Sequence, residues 1–510
     1  KRLAAFIVFL LVGLSPIFAQ ENPTFLSSAK AQTLWKQFYE ICKIPRASKN
    51  EKQLNEFISQ IAKRHNAEFK SDAVGNLLVR LPATAGFEDY PIITCQAHLD
   101  MVYAKSSGIV HDFGKDPIIP IEENGWLKGK DTSLGADNGI GVAAMMALIE
   151  EKELSHGPLE LLFTVDEEGD FTGIASLSPD FFKGRILVNL DSEEGHQTNI
   201  GCAGGQANTF TFESKKWDVA PYYDAYSLSV KGLRGGHSGV DIHYGRANAI
   251  KLLNRVLRRL EMEVPLRLAS ISGGVLDTAI PQEAEAVFFL PKENRNRLES
   301  LVNMYAQIYA QEYKGVDPEI SLELKEDAFA TSLDRTAFPI DFAQQLFDFI
   351  FLLPDGIRRM SREFPDLVDT SSNLGTVRTN DTGVVLTGHL QSMKIDSIKE
   401  MSRIMNIIAS ESNGVMLEGT PYLPWKPNAN SKVLQALIVT HQKVFGYPIK
   451  SHVIHAGIEC GDLLQKIPDL DMISFGPTIQ SPHTVAEKVN IASVDDFWIL
   501  LTNLLKTPFP

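Results

Sequence analysis

The chain has 510 residues, 44% of them hydrophobic and 22% charged, with a formal charge of −14. That length exceeds one ordinary hydrophobic core and predicts two or three domains. The acidic balance, with no Lys/Arg block, disfavours nucleic acid or an anionic membrane surface as a partner.

Lys1 and Arg2 precede an apolar run from Leu3 to Leu14, and Phe18-Ala19-Gln20 follows Ser15-Pro16. This order predicts a secretory signal over 1–19, cut after Ala19. It implies a periplasmic or secreted protein with no stable membrane association after cleavage. Leu34, Phe38, Ile41, Leu54, Phe57, Ile58 and Ile61 stand at helical spacing and predict helix within 30–66. Strands at 76–81, 92–96, 159–165 and 186–191 alternate with a helix at 139–151. Buried strands between helices predict an α/β catalytic domain, a mixed sheet with helices on both faces. After Gly204-Gly205 the texture changes. Strands at 226–230, 284–290, 319–325, 375–378, 384–390 and 415–418 and helices at 248–260, 297–312 and 395–410 predict two β-α-β-β-type units, an inserted α+β lid. From about Pro421 the α/β texture returns, with helices at 431–445 and 494–505 and a strand at 472–475. The expected division is 25–206 and 422–510 for the catalytic domain and 207–421 for the lid. Cys42, Cys95, Cys202 and Cys460 are widely spaced and read as buried free thiols, not as a metal site.

Acids and histidines cluster just past the predicted strands: Gln96–Val102, Leu134–Gly141, Phe163–Gly169, Asn189–Glu194, and Pro482-His483-Thr484 near the end. Singly, each reads as a turn, a cap or a solvated pair. Together, at strand ends that face one crevice, they are the ligand types of metal-assisted hydrolysis. Two adjacent cations need a shared carboxylate, and Asp137 is the natural bridge. His98 with Asp191 completes one metal, and His483 with Glu168 the other. Glu167 is left as the general base, and Asp100 orients the His98 ring.

These motifs, with Gly201–Gly205, Gly235–Gly239, Asp241–His243, Gly245–Asn248 and His455–Gly461, resemble the aminoacyl-histidine dipeptidase (peptidase D, Xaa-His dipeptidase) family of co-catalytic zinc peptidases over nearly the whole mature chain. The resemblance implies the same ligands, with two Zn2+ per chain (Mn2+ or Co2+ suit similar donors), a small peptide substrate and a homodimer. It implies a cis Asp137–Asn138 peptide and a lid histidine, His237, that polarises the scissile carbonyl. His243 and Arg246 then belong to lid structure, and His455, Gly457 and Glu459 line the pocket. The loop after Glu168 departs from the family, reading Gly-Asp-Phe-Thr-Gly. Thr278 stands where the family usually has Asn, and Gln391 where it often has Arg, so either Arg378 or another cation holds a substrate carboxylate, or the substrate preference has shifted. Hydrolysis of short unblocked peptides, of Xaa-His type, is the expected activity. An N-acyl amino acid deacylase of the same clan and a non-catalytic exported metal- or peptide-binding protein are the alternatives. A free-amine site against an apolar acyl pocket separates the first, and an intact base separates the second.

Overall fold

The computed structural model describes residues 24–27, 29–326, 335–428 and 430–508. The expected signal, 1–19, lies outside them. Within 30–66 the chain forms two helices, Gln32–Ile41 and Lys52–Arg64. Pro45 between them has no N–H to continue a helix.

An eight-stranded mixed sheet runs Glu68–Ser71, Leu77–Leu81, Leu159–Thr164, Ile93–His98, Ile186–Asn189, Asp471–Ser474, Gln197–Cys202, Lys450–Ile454. Leu159–Thr164, Ile93–His98, Ile186–Asn189 and Asp471–Ser474 run parallel, so their carboxyl ends share one edge. The strands read as apolar runs because both faces are covered. Val79, Cys95, Leu161 and Val188 pack with Trp35 and Phe38 and with the Ala136–Glu150 and Ile491–Leu504 helices. Leu78, Leu162, Leu187 and Met472 pack on the other face with Ile174 and Leu463, from the short helices Thr172–Ser176 and Cys460–Lys466. A small antiparallel sheet, Ile479–Gln480, Lys488–Asn490, Trp126–Gly129 and Pro120–Glu123, ties the end of the chain to the segment before Ala136.

Strands between 204 and 418 form a second, antiparallel sheet covered by helices. It holds two units of one pattern, strand-helix-strand-strand-helix-strand. Tyr223–Lys231 to Ser321–Glu326 form the first. Gly204–Glu213 joins Ile340–Leu352, Val368–Thr379, Gly383–Ser392, Ile395–Glu411 and Val415–Glu418 to form the second, so the first is nested inside it. Their spatial orders mirror each other across the junction where Ser272 faces Arg378 and Gly273 faces Val377. The Ile340–Leu352 helix escaped the pattern reading because apolar residues sit on nearly every side of it.

The chain crosses between the sheets twice, and the crossings pair. Cys202 and Trp425 exchange backbone hydrogen bonds of 3.0 Å each, and Gly205 and Tyr422 exchange bonds of 3.1 and 3.0 Å. A methyl group on Gly205 would overlap the Tyr422 hydroxyl and approach His389 to 2.8 Å. Gly205→Ala should therefore destabilise the protein by about 1–3 kcal/mol, read as a lower denaturant midpoint. An unchanged midpoint would show that the crossing is loosely packed.

Candidate metal centre

His98 closes its strand, Glu167 and Glu168 follow Leu159–Thr164, and Asp191 follows Ile186–Asn189. Asp137 lies at the irregular start of the Ala136–Glu150 helix, just before a cis Asp137–Asn138 peptide. His483 sits in the hairpin between Ile479–Gln480 and Lys488–Asn490. These residues, drawn from distant parts of the chain, meet. His98 Nε2 lies 3.2 Å from Asp137 Oδ1 and 3.3 Å from Asp191 Oδ1. His483 Nε2 lies 3.1 Å from Asp137 Oδ2 and 2.8 Å from Glu168 Oε1. Asp137 thus turns one oxygen to each histidine. His98 with Asp137 and Asp191, Asp137 with Glu168 and His483, and His98 with Glu167 and Glu168 each offer ligand atoms within 4.8 Å of one another. Imidazole nitrogens and carboxylate oxygens arranged in two sets around one carboxylate fit a pair of divalent cations.

The electrostatics make the same demand. Burial would lower the His98 pKa, but Asp191, Asp100 and Asp137 hold it well above the ordinary value. Burial also opposes protonation of His483, yet Glu168 and Asp137 push it up to about 12. Burial would raise Asp137, but His483 and His98 keep its carboxyl well below the usual range. Burial, reinforced by Asp137, lifts Glu168 to about 7. Burial, with Glu168 and Asp191 adding to it, raises Glu167 well above an ordinary carboxylic acid. The cluster holds protons where its negative charge is densest, as it would hold cations.

A buried shell fixes these groups. Asp100 faces His98 Nδ1 at 3.4 Å, while its carboxylate accepts from the Glu167 and Glu168 N–H groups at 3.1 and 3.0 Å and from Ser48 at 2.8 Å. Three further residues, none of them expected in this role, complete the shell. Glu487, 2% exposed, accepts from the N–H groups of Leu134, Gly135, Ala136 and Asp137 at 2.7–3.3 Å. Arg46, equally buried, donates to the carbonyls of Leu99 (2.9 Å), Asp100 (2.7 Å) and Gly135. Asn138 donates to Asp191. Asn138 lies in the Leu134–Gly141 motif and Glu487 is an acid four residues after His483, whereas Arg46 left no trace. Glu459 is wholly buried and accepts from Gln96 (2.6 Å) and Thr164 (2.7 Å), and His455 Nε2 meets Ser371 at 2.7 Å. Neither belongs to a ligand group among the described residues.

From the lid, the loop with His237 faces this cluster. Gly236 takes φ +133°, where a side chain would be strained and would overlap Arg246. His237 Nδ1 accepts from the N–H groups of Gly239 (3.0 Å) and Val240 (3.2 Å), so the ring proton resides on Nε2. Burial, with His483 and His389 nearby, lowers its pKa to about 4, and the ring is a neutral donor. The Thr278 carbonyl accepts from Ser238 N–H at 2.7 Å. Gln391 lies against Gly239, and Gly457 against the Tyr422 ring. The Arg378 guanidinium donates from Nη1 to the carbonyls of Val377 and Gly273 and from Nη2 to that of Gly274.

Residues 228–317 match the family model for a peptidase dimerisation domain. The chain is 40% identical over 485 residues to the cytosol non-specific dipeptidase of Escherichia coli K12, covering 94% of this chain and 98% of that one. It superposes on the crystal structure of aminoacylhistidine dipeptidase from Vibrio alginolyticus with a TM-score of 0.76 at 36% identity, covering 95% and 98% of the two chains. Human carnosine dipeptidase 1, at 14% identity, a TM-score of 0.52 and coverage of 94% and 97%, shares the fold.

The first of these relatives overturns the expected export. It is a cytosol enzyme by description and is matched over nearly its whole length. Two cations before an apolar run are a pattern of composition, and the fold that the relatives share owes nothing to it. Among the described residues no helix is long and apolar enough to cross a membrane.

Removing Glu487 would strand four buried N–H groups beside Asp137. Glu487→Ala should cost more than about 2 kcal/mol in denaturant unfolding. It should weaken zinc affinity about 10- to 100-fold in a chelator competition. Unchanged affinity would mean that the Asp137 turn is held without it.

Proposed function

We propose, because this chain belongs to the aminoacyl-histidine dipeptidase family of M20 metallopeptidases, that it cleaves short unblocked peptides, Xaa-His dipeptides among them, at a two-cation site. His98, Asp137 and Asp191 would hold one cation and Asp137, Glu168 and His483 the other, with zinc as the first choice for these donors. The observation that carries the reading is the division of Asp137 between the two histidines, 3.2 and 3.1 Å away. Bound there, divalent ions would polarise the scissile carbonyl and bring the pKa of a water to about 7.

The chain's own groups supply the rest. Glu167 bonds to no ligand residue at the short distances that Glu168 and Asp191 show, and burial keeps its carboxyl proton-seeking. It takes the proton of the attacking water and delivers it to the leaving amine. His237 Nε2–H donates to the oxygen on which charge develops. Asp100 holds the His98 ring and the Glu167–Glu168 backbone together, so ligand and base keep one geometry. The 25–206 and 422–510 segments act as the catalytic domain and 207–421 as the lid. Closure of the lid would exclude water and limit peptide length. The match to a dimerisation domain supports a homodimer.

Glu167→Ala should reduce kcat on Ala-His or Gly-Gly by at least about a hundredfold while metal content stays that of the wild type. N-acetyl amino acids should remain uncleaved, and their preferential hydrolysis would make the enzyme a deacylase. Loading zinc into chelated protein should release on the order of two to three protons per chain, from His98, His483 and, in part, Glu168. Titration calorimetry in buffers of different ionisation enthalpy reads that number. No release would place the metal elsewhere.

A further inference from the structure

The turn that carries His237 closes on itself. His237 N–H donates to Asp241 Oδ2 at 2.9 Å, and Asp241 N–H returns a bond of 3.1 Å to the His237 carbonyl. These two bonds fix the ends of a short loop, and the Gly239 and Val240 N–H groups that hold Nδ1 lie inside it. One flank of the loop rests on the lid. Gly236 and His237 pair with Ile280 and Ala279, and Ser238 N–H reaches the Thr278 carbonyl. Asn373, from the second lid unit, donates to the Asp277 and Ala279 carbonyls at 2.8 Å each and so steadies that flank. The other flank, with Val240 and Tyr244, is exposed to solvent.

Arg246 supports the exposed flank from a fixed point. The next residue, Ala247, donates its N–H to the buried Asp317 at 2.8 Å, and Asn248 caps the Ala249–Glu261 helix. From there the guanidinium reaches back over the Tyr244 ring, 4.8 Å from its centroid. Its Nη1 donates to the Gly235 carbonyl and lies 3.6 Å from Asp241 Oδ2. Gly235 leads into the loop and Asp241 closes it, so one planar cation ties both ends together. The closure matters to the ring. While the loop is shut, two backbone donors face Nδ1 and the ring proton stays on Nε2. An open loop withdraws those donors, and the neutral ring is free to place its proton on either nitrogen.

We infer that Asp241 and Arg246 are positioning residues that keep the His237 ring in place with its proton on Nε2. The inference rests on the proposed donor role of His237 and names what maintains it. Arg246→Ala and Asp241→Ala should each lower kcat on Ala-His about 10- to 100-fold with KM little changed, in proteins that keep wild-type metal content. Asp241→Asn, whose amide oxygen still accepts from the His237 N–H, should recover most of that loss. In the His237→Ala protein neither alanine substitution should cost anything further, because no ring is left to position. With 15N-labelled histidine, the ring nitrogens of His237 are identified by their absence from the His237→Ala spectrum. Their shifts should be well separated in the wild type and closer together in both alanine variants. Equal losses of kcat with and without His237, or ring shifts that stay as in the wild type, would overturn the inference. Ring shifts that move in a protein whose kcat survives His237→Ala would instead remove the donor role of His237 and leave the clamp standing.

Discussion

Asp137 gives one carboxylate oxygen to His98 and the other to His483, and the rest of the molecule is arranged to keep it doing so. Burial alone would drive a carboxylate in that position to take up a proton. Cationic partners on both sides reverse the balance. The turn that carries it is clamped from two directions. Glu487 binds its N–H groups from the hairpin that also bears His483, and Arg46 binds the Gly135 carbonyl together with those of Leu99 and Asp100. One buried arginine thereby ties the His98 strand end to the Asp137 turn, and one buried glutamate ties the Asp137 turn to the His483 hairpin.

The lid belongs to the same construction. Two antiparallel backbone crossings, 202–205 and 422–425, set the distance between the sheets. Tyr422 carries that setting into the loop beside the acids through Phe171. The His237 loop is bent by glycine so that two backbone N–H groups fix its tautomer before any substrate arrives. Both devices are forms of preorganisation, in which the scaffold and not the substrate bears the ordering cost.

Much of this was legible in the sequence, and the reason is local. Parallel strands buried on both faces announce themselves as short apolar runs, and the polar residues just past them have nowhere to point but the crevice. His98, Asp100, Glu167, Glu168 and Asp191 could be grouped on that ground, and Asp137 joined them from the glycine-rich start of a helix. The resemblance to a family brought in His237, whose surroundings read as an ordinary glycine turn. What stayed hidden depends on contacts between residues hundreds of positions apart. Arg46 sits in the short link between two helices, Glu487 meets Asp137 across 350 residues, and Tyr422 looks like part of a linker. The apolar start of the chain was legible as composition, and its reading as an export signal did not survive comparison with a cytosol relative.

The most direct test is anomalous X-ray diffraction from crystals of zinc-replete protein, recorded on both sides of the zinc edge. The account predicts a pair of anomalous peaks about 3.5–4 Å apart with the Asp137 side chain between them, one beside His98 and one beside His483. A solitary peak, or peaks from which Asp137 stands apart, would contradict it.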